Sequence, residues 1–129
     1  MDNFSIPEDL RRFVLTSIPS VPFLEALLLM RADPEQCWSR DTLARRLYVR
    51  DKVAEGLLAE LCLAGMAAPS PADADAYCYR PREDVLRERV DRLADLYSTH
   101  LVEVTHLIHS SLDRKAQQFA DAFKWRKDS

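Results

Sequence analysis

The segment from Trp38 to Gly65 constrains the fold of this chain more than any other, because it contains the start and stop signals of two short helices. Ser39 is a good N-cap for a first helix. After a tight connector, Asp51 is expected to cap a second helix, and Gly65 stands where a helix C-terminal glycine belongs. The apolar positions recur at helical spacing, and they are Leu43, Ala44, Leu47, Val53, Leu57, Leu58 and Leu61. The segment therefore predicts a helix-turn-helix.

The composition is that of an ordinary soluble domain. The chain has 129 residues, of which 47% are apolar and 30% are charged, and this suits one domain with a modest core. It contains no run of about 20 apolar residues that would span a bilayer, and its first residues lack the basic and apolar regions of a signal peptide. Cys37, Cys62 and Cys78 form no C-x-x-C pair. We expect reduced thiols in a cytoplasmic protein with no membrane contact.

Two helices are predicted ahead of the helix-turn-helix. The first runs from about Ile6 to Ser17, and it either extends the core or forms a dimer contact. Its apolar stripe consists of Leu10, Phe13 and Val14. The second is capped by Ser20 and ends before Pro34, and it is apolar nearly all round. A helix of that kind is buried on more than one side, so we predict that it is the central helix of the domain.

Two short strands are predicted directly after Gly65. Met66–Ala68 reads as extended, Pro69–Ala76 as a turn-rich loop, and Tyr77–Arg80 as a strand with alternating aromatic residues. Two such strands that follow a helix-turn-helix in the sequence, joined by a loop, are typical of a wing. From about Pro22 to Arg80, this order of elements resembles the winged-helix superfamily, with bacterial MarR-like and PadR-like transcription regulators as the nearest analogies. The resemblance implies a homodimer that places one helix per subunit in the major groove of double-stranded DNA.

The chain beyond Pro81 predicts long helices. One helix is expected from about Arg82 to Ser110, bent near Ser98-Thr99, followed by a final helix that Ser110 or Ser111 caps. Its coiled-coil-like stripe consists of Leu86, Val90, Leu93, Tyr97, Leu101, Val104 and Ile108. Because a monomer of this size does not easily cover so long a stripe, we expect these residues to form the homodimer interface.

The predicted fold class is therefore mostly α with a small two-stranded β-wing. A winged helix-turn-helix core, preceded by the N-terminal helix, spans residues 1–80. A C-terminal helical appendage, the dimerisation region, spans residues 81–129. The two parts are expected to form a single compact unit, because no linker separates them.

Basic residues surround the predicted turn. Arg46, Arg50 and Lys52 stand where phosphates and base edges would lie, with Arg40 and Arg45 in support. The alternative is a solvated face of mixed charge. A formal net charge of -3 and the acidic loop residues Asp73 and Asp75 weigh against a strong nucleic-acid binder. Gly56, inside the second helix, indicates close approach of a partner, tight packing, or simple tolerance.

Other chemistry receives little support from the residues. The spacing of His100, Glu103, His106 and His109 favours polar helix surface or an interface over a metal site. No Gly-rich phosphate loop or G-x-S-x-G motif occurs, so neither an enzyme nor a cofactor is expected. The aromatic residues near the wing are expected to pack rather than to stack on bases, and they are Trp38, Tyr48, Tyr77 and Tyr79.

The leading hypothesis is a cytoplasmic bacterial transcription regulator that binds specific DNA sequences as a homodimer. The second hypothesis is a winged-helix module for protein–protein interaction that does not bind DNA. The arginines around the turn favour the first hypothesis, whereas the acidic loop and the net charge favour the second.

Overall fold

The protein is mostly helical, with a small three-stranded antiparallel sheet. A computed structural model describes the backbone of residues 6–128 and the side chains of residues 6–122. In chain order the elements are α1 (Glu8–Ser17), α2 (Val21–Ala32), β1 (Cys37–Ser39), α3 (Arg40–Leu47), α4 (Asp51–Leu63), β2 (Ala67–Pro69), β3 (Ala76–Tyr79), α5 (Asp84–Thr99) and α6 (Leu101–Asp128).

Local signals set the ends of α3 and α4. The Ser39 hydroxyl accepts a hydrogen bond from the Thr42 amide at 3.2 Å, and the Thr42 hydroxyl accepts one from the Ser39 amide at 2.9 Å. This reciprocal capping box confirms the predicted start of α3. Gly65 follows α4 with a φ of +76°, in the left-handed conformation that favours glycine. The predicted Asp51 cap is wrong, because α4 begins at Asp51 and Arg50 before it makes no side-chain cap.

The sheet contains one strand more than the predicted two-stranded wing. The strand order is β1-β3-β2, so β3 lies between its hairpin partner β2 and the distant strand β1. Pairing with β3 places Trp38 opposite Tyr77, and the Trp38 side chain is buried in the core. The two-stranded prediction failed because β1 is only three residues long and its partner lies about 40 residues further along the chain.

The sheet register also corrects the expectation of reduced cysteines. Cys37 lies directly opposite Cys78, and a disulfide joins their sulfur atoms across β1 and β3. Their Cα atoms are 4.3 Å apart, close to the narrow spacing of antiparallel pairs. Cys62 is a free thiol, whose pKa is raised by burial. The cysteines therefore no longer argue for a cytoplasmic location.

The core is organised around α2, as predicted. Ser20 caps this helix by accepting a hydrogen bond from the Phe23 amide. Its buried side chains are Phe23, Leu24, Ala26, Leu27 and Met30. The predicted stripe of α1 (Leu10, Phe13 and Val14) is also buried.

Within residues 6–128, no single helix is long and apolar enough to cross a membrane. The helices α1 and α2, which are bent by 108° relative to each other, together have the length and composition of a broken membrane span.

The C-terminal region forms two helices with a different boundary from the predicted one. The helical path breaks at His100, whose backbone has φ -132° and ψ 49°. Just before it, the hydroxyl of Ser98 donates to the Asp95 carbonyl, and that of Thr99 donates to the carbonyls of Asp95 and Leu96. Such side-chain bonds compete with the helix, so the predicted bend becomes a break. The expected new helix at Ser110 or Ser111 is wrong, since α6 passes through both residues.

The predicted dimer stripe is largely covered within one chain. Five of its members are buried in the core shared with α1 and α2, and these are Val90, Leu93, Tyr97, Val104 and Ile108. Leu86 is half-buried, and Leu101 is 52% exposed. The argument that the stripe needs a partner chain therefore does not hold, because α1 and α2 provide the cover. The C-terminal region shares its core with the rest of the protein.

Candidate nucleic-acid interface

The α3–α4 connector is a tight turn whose backbone is fixed by α3. The amides of Tyr48 and Val49 both donate to the Ala44 carbonyl, the latter at 3.0 Å. Tyr48 adopts the left-handed conformation, with a φ of 57°. The three residues Tyr48–Arg50 thus reverse the chain in a short space and leave the last turn of α3 beside the first turn of α4.

Four of the predicted basic residues flank this turn along the chain, and they are Arg45, Arg46, Arg50 and Lys52. Arg45, Arg50 and Lys52 are exposed, and none of them forms an ion pair among the residues whose side chains the structure describes. Their charges are therefore available to an anionic partner. Arg45 lies in the last turn of α3, Arg50 in the connector and Lys52 in the first turn of α4, so all three cations are close to the turn in sequence.

Arg46 has a structural contact of its own. Its guanidinium carbon lies 5.6 Å from the centroid of the buried Trp38 ring, within the range of a cation–π interaction. Arg46 itself is exposed, so its guanidinium lies over the tryptophan ring and is still open to solvent. This contact orients the guanidinium beside the turn.

Arg40 belongs to a different surface. Its Nε lies 3.4 Å from an Asp41 oxygen, and its Nη1 lies 3.5 Å from a Glu55 oxygen. The Glu55 contact links the start of α3 to the middle of α4. Because two carboxylates already lie beside it, the Arg40 charge is less available to an anionic partner than the charges of Arg45, Arg50 and Lys52.

Tyr48 is a candidate contact that the sequence interpretation missed. Its side chain is 95% exposed, so the expectation that it packs against the wing is wrong. The expectation holds for Trp38 and Tyr79, which are buried, and Tyr77 is half-buried. A left-handed conformation costs a tyrosine roughly 1–2 kcal/mol. A large aromatic side chain that is both strained and exposed, between cations, is typical of a binding surface.

An acidic cleft of about 390 Å³ lies between α4 and the β2–β3 hairpin. Its charged lining consists of Arg40, Asp41, Glu55 and Asp75. The hairpin loop is shaped by its own aspartates, since the Asp73 carboxylate accepts from the Asp75 amide at 2.9 Å. The candidate surface is thus divided into a basic turn and an acidic cleft, and the hairpin belongs to the acidic part.

Gly56 lies on the exposed side of α4. A methyl group added at this position would meet no atom of the described residues within 4 Å, so packing against that part of the chain does not explain the glycine. The remaining explanations are simple tolerance and close approach by a partner.

The histidine-rich part of α6 shows no metal-binding geometry. Among the described residues, no group of three His, Cys, Asp or Glu side chains comes together to hold a metal ion. His106 and His109 lie on the surface of α6 together with Glu103.

Comparison with known proteins identifies no relative. The chain matches no protein-family profile, no curated protein and no solved structure.

Proposed function

We propose that the protein is a sequence-specific DNA-binding transcription regulator, acting as a homodimer in the bacterial cytoplasm. In this proposal α3 and α4 are a helix-turn-helix, the β2–β3 hairpin is its wing, and α4 enters the major groove. The observation that carries the proposal is that Arg45, Arg50 and Lys52, next to the turn that precedes α4, are exposed and form no ion pair among the side chains that the structure describes.

The geometry suggests different roles for the basic residues. Arg50 and Lys52 flank the start of α4, where a recognition helix meets base edges and phosphates. Arg45 and Arg46 lie in the last turn of α3 and would contact the phosphate backbone. Arg46 is held in place by Trp38, so its ordering costs less on binding.

The test is DNA binding at several salt concentrations, using fragments of the source genome. Arg50→Ala combined with Lys52→Ala should weaken binding and reduce the slope of log K against log salt by about one unit per lost contact. Arg89→Ala is a matched control, because Arg89 is an exposed arginine on α5, outside the candidate surface. Unchanged affinity and slope in the double variant would overturn the assignment, and no binding at low salt would overturn the function.

A second candidate function is a protein-interaction module, which the acidic cleft favours. Three carboxylates from α3, α4 and the hairpin line this cleft, and only Arg40 opposes them. Phosphates would be repelled there, whereas a basic segment of a partner protein would be attracted. Asp73→Lys combined with Asp75→Lys separates the two functions. Non-specific DNA affinity should rise if the wing lies near the duplex, and should not change if the wing serves a protein partner.

A further inference from the structure

The disulfide between Cys37 and Cys78 lies next to the residues that position Arg46 and the start of α3. Cys37 is the first residue of β1, and Ser39, the last, is also the N-cap of α3. Between them, Trp38 is buried, and its ring centroid lies 5.6 Å from the guanidinium carbon of Arg46. The three consecutive residues of β1 therefore carry the disulfide, the ring that holds Arg46, and the cap of α3.

The other contacts that hold β1 in place are limited. It is a strand of three residues at the edge of the sheet, paired with β3. Residues 32–36, which lead into it, are all exposed. The buried indole N–H of Trp38 finds no acceptor among the described residues, and an unpaired buried donor weakens the anchoring that the ring provides. The bond to Cys78 is therefore an important part of what keeps β1 on β3.

The two bonded cysteines differ in their exposure to solvent. Cys37 is half-buried, whereas Cys78 is only 6% exposed. The thiolate of a small reductant therefore reaches Cys37 more readily. Its attack forms a mixed disulfide at Cys37 and releases the Cys78 thiolate, which takes up a proton. A second thiol of the reductant then attacks the mixed disulfide, so that Cys37 leaves as a thiol and the reductant as a disulfide. The protein gains the two electrons and two protons that the reductant loses.

The location in the proposed function makes this bond reversible. Thiol pools keep cytoplasmic proteins reduced, and the disulfides that form there are usually transient and redox-sensing. The sheet register keeps Cys37 opposite Cys78 while β1 stays paired with β3, so the reduced thiols can form the bond again. Cys62, on α4, has a free thiol and takes no part in the bond.

We infer that the Cys37–Cys78 pair is a redox switch for the proposed DNA-binding surface, in which the disulfide form binds DNA more tightly. The bond fixes β1, so that Trp38 holds Arg46 and Ser39 caps α3 before DNA arrives. In the reduced form β1 opens more often, and ordering Arg46 on DNA costs more free energy. The reactants that set the switch are small thiols and their disulfides. This inference rests on the proposed function, and it adds the regulation of the same surface.

DNA affinity in the two redox states tests the inference. Cys62→Ser is the background for the measurement, because only the pair can then react. Reduction with dithiothreitol should raise the dissociation constant for DNA at least about fivefold, the lower end of typical couplings between two sites. Reoxidation with oxidised glutathione should restore the original value. Cys37→Ser in the same background should bind DNA like the reduced protein and should respond to neither reagent.

Arg46→Gln and Arg50→Gln form a matched pair that tests the route through Trp38. Each variant removes one cation beside the same turn, so both should bind DNA more weakly. Arg46→Gln should lose most of the redox response, because Trp38 no longer holds a charge for DNA. Arg50→Gln should keep the response of the background protein. An equal redox response in the two variants would overturn this route.

Hydrogen exchange provides a measurement without DNA. Reduction should accelerate amide exchange in β1 and the first turn of α3 by a larger factor than in α5, because the opening is local. Measurable but equal DNA affinity in the two redox states would overturn the inference. The expected exchange difference in a protein that binds DNA in neither state would overturn the proposed function alone.

Discussion

Cys37 and Cys78 are bonded across β1 and β3, with their Cα atoms 4.3 Å apart. The bond ties the strand that leads into α3 to the strand that completes the hairpin. The loop that it closes, with a sequence separation of 41, contains all of α3, α4 and β2. The proposed DNA-binding unit is therefore enclosed by one covalent link.

Loss of this link should destabilise the protein. A disulfide that closes a loop of this length contributes roughly 2–4 kcal/mol, mainly by restricting the unfolded chain. Cys37→Ser should lower the free energy of unfolding by that amount, measured by urea denaturation without reductant. Adding reductant should destabilise the unmodified protein and the Cys62→Ser control, but not Cys37→Ser. Equal sensitivity of all three proteins to reductant would contradict the role of the bond.

The parts of the fold that could be predicted are those whose signals are local. Ser39 and Gly65 mark helix ends by caps that involve only nearby residues, and the structure has both ends as predicted. The pairing of Trp38 with Tyr77 depends on residues distant in sequence, and no local pattern encodes it. The same is true of the burial of Val104 in a core that also contains residues of α1 and α2, since the sequence interpretation assigned Val104 to a contact with a partner chain.

In the candidate site too, the features set by nearby residues could be predicted, whereas those set by residues distant in sequence could not. Arg50 and Lys52 were predicted because the turn itself is local, and both are exposed beside it. The pairing of Arg40 with Glu55 requires the packing angle of α3 against α4, which no spacing reveals. Tyr48 was missed because an aromatic residue between two helices ordinarily packs, and its left-handed backbone is visible only in the structure.

Replacement of Tyr48 should separate stability from binding. Asparagine tolerates the left-handed conformation better than tyrosine, and the exposed ring loses no packing when it is removed. Tyr48→Asn should therefore raise the free energy of unfolding by about 0.5–1 kcal/mol. DNA affinity should fall in the same variant if the ring contacts the duplex. Tyr48→Phe, which keeps the ring and the strain, should leave stability unchanged, and a destabilised Tyr48→Asn would contradict this account.

Gly56→Ala tests whether a partner approaches α4 closely. The added methyl group meets open space, so the substitution should stabilise the helix by about 1 kcal/mol. If DNA lies against this face, the same methyl group should reduce affinity at constant salt. Ala59→Gly is the matched control on α4, expected to destabilise by a similar amount without reducing affinity. A stabilised Gly56→Ala variant with unchanged affinity would show that the glycine is merely tolerated.

The contact between Asp9 and Arg92 should make stability depend on acid pH. The Arg92 guanidinium donates hydrogen bonds to both Asp9 oxygens, linking α1 to α5. This pairing lowers the pKa of Asp9 from its ordinary value of 3.8. The carboxylate therefore contributes stability that is fully present above that value and is lost as the pH falls through the lowered pKa. Asp9→Asn should reduce the melting temperature at neutral pH, and the difference should shrink as the pH falls below 3.8.

Arg92→Gln provides the control for this pH dependence. This substitution removes the partner that lowers the pKa of Asp9. The melting temperature of the Arg92→Gln variant should therefore approach that of the unmodified protein as the pH falls below 3.8. Because both side chains are partly exposed, the effect at neutral pH should also decrease at high salt. A difference between Asp9→Asn and the unmodified protein that stays constant from neutral pH to well below 3.8 would show that the ionised form of Asp9 does not contribute to stability.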